Sequence, residues 1–437
     1  MPELNKKITK QVVTFYWSCA KQYPRKIAGV LLAIPVAVVT NSFLPPLILA
    51  DVLRKLSAGQ FVAHQPWQSF GHDIIIYGLL VIFSSTLAWR FVDLFGWRLE
   101  ANVTRDIGRK VFNHLENETA DFHANHFGGS LVSQTTKLLG SYVRMADTTI
   151  YMALPLLVSL GAATVILWAR APLFVISLLL FAIFFIITSI FVSKKVRQTG
   201  AIHADAESSQ TGYLADVITN IMAVKSFAAE KHESQEFDQV TTYTHDRLLD
   251  VMRATQRQFA YYGSVTGSML AMSFAIAVVS IVSFHANLAT VFLIFNYTAG
   301  IVSNLFQFSN NGLKNYNRAI GDASSMVRIL NQPIEIKDTA DPKPSRIKHG
   351  EIAFNNVTFT HKGADSSIFK KLNLKINSGE KVGLIGHSGS GKTSFTRVLL
   401  RFSDIDSGSI TIDGQDIAKI TQADLRSNIS YVPQDPL

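Results

Sequence analysis

Residues 386–393 read GHSGSGKT, an instance of G-x-x-x-x-G-K-[ST]. Gly386, Gly389 and Gly391 let the backbone curl until its N–H groups converge on a small anion, and a following helix adds the positive end of its dipole. Lys392 supplies a point charge for the β- and γ-phosphates of a nucleotide, and the Thr393 hydroxyl is suited to ligate Mg2+. Ser388, Ser390 and Ser394 can add phosphate contacts, while His387 occupies a permissive loop position. The chemistry is binding of ATP with Mg2+. The setting agrees with it, because an apolar run, KVGLIG, is expected as a strand leading in and a helix is expected over Ser394–Phe402.

The elements around this loop follow from period. EIAFNNVTFT and KKLNLKI alternate apolar and polar, with Ile352/Phe354 and Leu372/Leu374/Ile376 each on one face, so both are expected strands. Asn377-Ser378-Gly379-Glu380 turns between the second of them and KVGLIG. A nucleotide-binding part is therefore expected over 349–437. Residues 331–348 are its linker, with prolines at 333, 342 and 344, and Asp322–Asn331 still reads as helix.

Upstream of that linker the chain changes character. Of the 437 residues 48% are hydrophobic and only 17% charged, which points to a membrane class rather than a soluble one. The lone cysteine, Cys19, excludes an intrachain disulfide framework. Runs free of Asp, Glu, Lys and Arg cover Ile27–Ala50, Thr148–Ala169 and Ala171–Ser193. Gln258–Leu313 is long enough for two spans, divided at His285-Ala286-Asn287. Ile74–Trp89 is shorter, but Arg90 and Asp93 lie one turn apart and can pair near a helix end. Six spans result, at about 27–50, 74–97, 148–169, 171–193, 259–284 and 288–313, within a transmembrane part over 1–330.

Charge gives the orientation. Segments 1–26, 98–147 and 194–257 carry 6, 6 and 8 Lys/Arg, against 2, 1 and 0 in 51–73, 170 and 285–287. The positive-inside rule then puts the N-terminus and the nucleotide part in the cytoplasm. The net charge of +9 thus follows the bilayer, and nucleic acid is not expected as a partner. The N-terminus does not read as a signal peptide, since its apolar stretch is too long and no small-residue cleavage pattern follows. Ile8, Val12, Phe15, Tyr16 and Cys19 share a helical face among lysines. An interfacial helix and a loosely ordered basic tail both fit that pattern.

Two of the inner loops are too long to be mere connections, and Leu99, Val103, Ile107, Val111 and Leu115 recur every four residues in the first. Each reads as a helical hairpin, with tips at Phe127-Gly128-Gly129-Ser130 and Gln210-Thr211-Gly212-Tyr213. In the last span Asn296, Gly300, Asn304, Gln307 and Asn311 form a polar stripe. Lining of a substrate pathway and hydrogen bonding between helices both account for it. Pro35, Pro45 and Pro46 are expected to kink the first span.

Six spans, long hairpins and a phosphate loop on one chain resemble an ABC transporter of the exporter type, along essentially all 437 residues. NIMAVKSFAAE (220–230) is similar to the segment after that family's second coupling helix, which implies that helix near Gly212–Val217. INSGEKVGLIGHSGSGKTS resembles the approach to its phosphate loop. GSITIDGQDI (408–417) and YVPQDP (431–436) resemble the strand and the Q-loop beyond it. The resemblance implies a membrane all-α domain of six helices with long cytoplasmic helical extensions, followed by a partial α/β P-loop nucleotide-binding domain. It also implies ATP-dependent export by a dimer, either with a second copy or with a homologous half-transporter, in contact with membrane lipid. The expected location is the plasma membrane of a bacterium. Gln434 would ligate Mg2+ or place the attacking water. His361 stands where the family usually has an aromatic residue stacked on adenine, and imidazole is a smaller platform.

The family's LSGGQ-like signature, Walker B aspartate, catalytic glutamate and switch histidine follow the Q-loop, and these 437 residues stop three beyond Gln434. The chain alone is therefore expected to hydrolyse no ATP, and to be a fragment whose Asn428–Val432 strand lacks neighbours. A non-hydrolysing ATP-binding membrane subunit, or an inactive fragment, is the alternative. A membrane-anchored P-loop kinase leaves the two hairpins unexplained.

Overall fold

The computed structural model describes residues 2–62, 64–284, 287–361, 364, 366–387 and 389–432. Ser388, Gln434 and His285-Ala286 of the expected inter-span turn lie outside the described residues. Contacts divide the chain into two compact units, one of residues 1–105 and 139–323, the other of residues 106–138 and 324–437.

The helices, in chain order, are α1 (Pro2–Ala20), α2 (Pro24–Ser42), α3 (Leu44–Ser57), α4 (Pro66–Phe83), α5 (Trp89–Glu116), α6 (Ala120–Asn125), α7 (Gly128–Thr148), α8 (Leu154–Trp168), α9 (Pro172–Thr219), α10 (Ile221–Ser226), α11 (Glu230–Phe284), α12 (Leu288–Gln307) and α13 (Leu313–Leu330). π-Helical turns at Ser84–Ala88, Thr149–Ala153 and Phe308–Gly312 join α4 to α5, α7 to α8 and α12 to α13. Among the described residues six stretches are long and apolar enough to cross a membrane: Pro24–Ser57, Pro66–Glu116, Gly128–Trp168, Pro172–Thr219, Glu230–Val279 and Leu288–Leu330. Their number is that of the expected spans. Lipid offers the backbone no hydrogen bonds, so helices that satisfy their own are the form such runs must take.

In the first unit Pro24, Pro66 and Pro172 each open a helix, where the missing N–H costs nothing. The expected kink in the first span falls at Phe43, between α2 and α3, where Pro45 and Pro46 remove two donors. The Phe43 carbonyl there accepts the Tyr297 hydroxyl at 2.8 Å. The core gathers Ile34 and Val38 of α2, Leu167 of α8, Phe174 and Phe185 of α9, Tyr262 of α11, and Leu293 and Ile301 of α12. One buried polar network crosses it: Gln258 donates to Ser193 Oγ and to the Tyr262 hydroxyl, both at 2.9 Å. Arg90 and Asp93 pair at 2.9 Å, as their spacing led one to expect. Of the two readings of the N-terminus, a helix forms, but its apolar face packs on protein. Val12, Tyr16 and Cys19 are buried, and Tyr16 bonds to Ser141 and meets the Tyr142 ring edge-on.

Where α5 and α7 continue beyond the expected spans 74–97 and 148–169, buried Glu100 neighbours the half-buried Asp147. Glu100 is buried with Oε1 unpartnered, and burial, then the neighbouring Asp147 carboxylate, pushes its carboxyl well above the usual range. Such a group takes up a proton on folding. Its contribution is full below the unfolded value of 4.5 and is lost as pH rises toward the folded value. The melting temperature is therefore expected to fall by about 2–4 °C or more between pH 5 and pH 8, and Glu100→Gln to flatten that slope. A melting series over that range, for both proteins in detergent, checks it.

In the second unit the strands are β1 (Ile352–Phe359), β2 (Phe369–Ile376), β3 (Ser407–Ile412) and β4 (Gln415–Asp416), and the helices α14 (Lys392–Leu399) and α15 (Gln422–Ser427). The sheet order is β2-β1-β3-β4, with antiparallel neighbours. Phe354, Val357 and Phe359 point into one core with Phe395, Val398, Ile410 and Leu425. That face is kept despite a register shift in β1 after Asn355, where Asn356 has φ 51° and bonds to Asn373. The linker is pinned to this unit, because the Asp413 carboxylate accepts the N–H groups of Lys348, His349 and Glu351 at 2.6–2.9 Å. Phe354 is 1% exposed and stacks on Phe395 at 4.5 Å. Phe354→Ala should destabilise this unit by about 3–5 kcal/mol, read as loss of amide-exchange protection in β1 and β3.

Two expected strands do not form. Lys381–His387 is irregular and open, with Ile385 99% exposed, and Asn428–Val432 carries no strand. A strand of this apolar, parallel-sheet kind is held by ladder bonds on both edges, and among the described residues none runs alongside either segment.

Candidate functional site

The phosphate loop takes the shape its glycines permit. Gly389 and Gly391 lie at φ 83° and 93°, a region that penalises a side chain. A Cβ on Gly386 would come within 2.5 Å of Ser390 Oγ, and one on Gly391 within 2.8 Å of Ile368 Cγ2. The loop is therefore a cradle that side chains would fill. Gly391 leads directly into α14, whose first residue is Lys392. The Lys392 ammonium turns back over the loop and donates to the carbonyls of Gly386 and His387 at 2.7 and 2.8 Å, and to Ser390 Oγ at 3.4 Å. It sits over the cradle where phosphate oxygens can replace those carbonyls. Thr393 is exposed on the first turn, and Ser394 is buried beside it. Phe395 anchors the helix by its stack on Phe354. These residues fit a nucleotide triphosphate with Mg2+; Ser388 and Gln434, expected to take part, fall outside the described residues.

His361 joins the same site. Its Nε2 lies 3.0 Å from Ser394 Oγ, and its ring meets Phe359 edge-on at 5.0 Å. The ring is thus fixed beside the helix that follows the phosphate cradle.

The same unit contains α6, a short helix between α5 and α7. Its cap is Thr119, whose Oγ1 accepts the Phe122 N–H at 3.1 Å. The Asp121 carboxylate accepts from Arg397, in the last turn of α14, and from Ser403 at 3.3 Å. An ion pair thus joins the phosphate helix to α6. Both partners are partly exposed, so a double-mutant cycle over Asp121→Ala and Arg397→Ala should give a coupling of about 0.5–1 kcal/mol in unfolding experiments. The expected first tip at 127–130 lies further on, since α7 already begins at Gly128. The Thr-Ala-Asp start of α6, a cap followed by an acid, was its sequence signal.

In the first unit α9 runs unbroken through Gly212–Val217, so no separate short helix stands there, and the short helix α10 follows after a break at Asn220. Met222 and Phe227 stand 75% and 83% exposed at that end. Of the polar stripe, Asn296, Gln307 and Asn311 are exposed and Asn304 donates to Ser159 Oγ at 3.4 Å. Gln307 bonds to Ser303 on its own helix.

Residues 28–306 match the family described as the ABC transporter transmembrane region, and residues 369–437 match that described as ABC transporter. An ABC transporter ATP-binding protein of Haemophilus influenzae is 27% identical over 86% of the chain and 61% of its own length. ABC transporter B family member 6 of Dictyostelium discoideum is 24% identical over 98% of the chain and 64% of its own. The chain thus spans about three fifths of the length of these relatives. Among solved structures, a bacterial Atm1-family ABC exporter with ATP bound shares the fold. Its TM-score is 0.77 at 22% identity, over 94% of this chain and 72% of that one.

Proposed function

Since the chain belongs to the ABC transporters of the exporter type, with membrane and nucleotide parts in one polypeptide, we propose that it serves ATP-driven export across a membrane. The observation that carries this reading is the phosphate cradle of Gly386–Thr393, whose helix is tied through Arg397 to Asp121 of α6. Lys392 and the loop N–H groups hold the β- and γ-phosphates, Thr393 and Gln434 ligate Mg2+, and His361 supports the base. Bound ATP supplies the free energy for the conformational change. The α5–α7 hairpin carries that change toward the spans through α6. Asn296, Asn304, Gln307 and Asn311 line the pathway of a substrate whose class the sequence leaves open; the exposure of three of them supports this over helix–helix bonding.

The working unit is a dimer, with a second copy or a homologous half-transporter, embedded in lipid. The Lys/Arg excess of segments 1–26, 98–147 and 194–257 favours a cytoplasmic N-terminus and nucleotide part, in the plasma membrane of a bacterium. Fluorescent ATP-analogue binding to the chain in lipid nanodiscs tests the reading. Saturable, Mg2+-dependent binding is expected, and its absence would remove the P-loop's role.

A further inference from the structure

Two exposed stripes of α9 change from apolar to cationic at one depth. Ile183, Ile187 and Ile190 recur at helical spacing on one exposed face, and Lys194 and Arg197 continue it. Leu180, Phe184 and Phe191 form a second exposed face, with Phe191 72% exposed, and Lys195 continues that one. The depth is pinned by buried bonds between α9 and α11. Gln258 donates to Ser193 Oγ at 2.9 Å, and Ser193 Oγ lies 3.1 Å from the Tyr262 hydroxyl. Arg257, exposed next to Gln258, therefore stands at the level of Lys194. Neither helix offers these cations a counter-charge. Among the described residues Lys194, Lys195, Arg197 and Arg257 form no ion pair. Helix α9 carries no Asp or Glu before Asp205. The nearest acid along α11 is Asp250, already shared by Arg247 at 3.0 Å and Arg253 at 3.4 Å.

We propose that Lys194, Lys195 and Arg197 bind the phosphate of an anionic phospholipid whose acyl chains lie along the two apolar stripes. The proposal rests on the reading that α9 crosses a bilayer. Within one turn the surface asks first for an apolar partner and then for an anionic one. A soluble phosphate meets the cations but leaves Ile190 and Phe191 uncovered. A zwitterionic lipid covers the stripes but brings a cation that the lysines repel. Only an anionic lipid answers both. The long Lys and Arg stems run along apolar surface to the headgroup level, and cations clustered just beyond a span select anionic headgroups. Arg257 adds a further cation at that depth from the neighbouring helix. The bound lipid then fixes the level at which α9 leaves the bilayer.

The test puts a fluorophore on the thiol of a Cys19→Ala, Ile190→Cys chain in lipid nanodiscs. Its quenching by brominated phosphatidylglycerol is compared with that by brominated phosphatidylcholine at equal mole fraction. Phosphatidylglycerol should quench about 3-fold more strongly at low salt. Lys194→Gln, Lys195→Gln and Arg197→Gln together should bring the ratio to about 1, whereas Lys194→Arg with Lys195→Arg should keep it. Lys231→Gln, Lys370→Gln and Lys381→Gln remove as much charge from exposed positions elsewhere and should leave the ratio unchanged. Equal quenching by the two lipids in the parent chain would overturn the proposal. So would a ratio untouched by the α9 changes, or one lost equally in the control. Competition by millimolar glycerol phosphate would overturn it too, since the cations would then take soluble anions. If neither lipid quenched the label, the reading of α9 as a span would fail first, and the lipid site with it.

Discussion

Lys392→Ala is expected to weaken MgATP binding on the order of 100-fold while leaving the melting temperature of the chain within about 1 °C of wild type. The ammonium lies over the loop and bonds at 2.7 and 2.8 Å to carbonyls of Gly386 and His387, which solvent can satisfy in its absence. Its removal therefore costs the fold little. Phosphate oxygens are different, because they carry charge that the loop N–H groups alone do not neutralise. A charge-assisted hydrogen bond contributes about 1.5–3 kcal/mol, and Lys392 can make two across the β- and γ-phosphates. Lys392→Arg should not rescue, since a planar guanidinium does not fit the place of a compact ammonium in so tight a curl. Equilibrium binding of a fluorescent ATP analogue, with thermal melting of the same samples, separates the two effects.

Gly408→Ala should cost the nucleotide-binding part about 2–5 kcal/mol. Gly408 has φ +94°, and a Cβ there would stand 2.4 Å from the Asn356 carbonyl oxygen and 2.5 Å from that of Asn355. Both obstacles are backbone in the shifted segment of β1, where neither can rotate aside. The dihedral strain of about 1–3 kcal/mol adds to that of overpacking, and β1 and β3 must part to relieve it. Because Phe354 and Ile410 lie on those strands, the core under the phosphate helix loosens too. Gly59→Ala provides the contrast: φ is +67°, but nothing lies within 4 Å, so only the dihedral cost remains. Amide exchange should show lost protection in β1 and β3 for Gly408→Ala and none for Gly59→Ala. Equal protection in the two variants would mean that the β1–β3 approach is looser than described.

The parts of this molecule that were legible in its sequence are those set by local rules. A run without charges is a span whatever surrounds it, and the six spans follow from counting. The phosphate loop is legible because its glycines are demanded by the backbone itself: Gly389 and Gly391 do adopt positive φ. The strands β1 and β2 show in their alternation, and even the shift after Asn355 leaves Val357 and Phe359 inward. KVGLIG misled because strand propensity is a statement about fitting between neighbours, and none is paired with it among the described residues. The first hairpin misled in another way. Gly128-Gly129 reads as a turn, yet the capping hydroxyl of Thr119 starts a helix eight residues earlier and α7 absorbs the glycines. Contacts far apart in sequence gave no sign at all. Asp121 and Arg397 are 276 positions apart, and nothing in either local pattern marks a partner. Glu100 and Asp147 are another such pair, far apart in sequence and marked by no local pattern.

If nucleotide at the Gly386–Thr393 loop moves the membrane helices, as we propose, the water access of the polar stripe on α12 must change with it. Cys19 is the sole cysteine and is buried, so Cys19→Ala with Gln307→Cys gives one exposed thiol at a stripe position. The measurement is its labelling rate by a membrane-impermeant maleimide in nanodiscs, with and without saturating MgATP. Labelling without nucleotide is expected, with a change in rate of about 5-fold or more with MgATP and no change once Lys392→Ala is added. An identical rate with and without MgATP, in a chain that demonstrably binds it, would rule the coupling out.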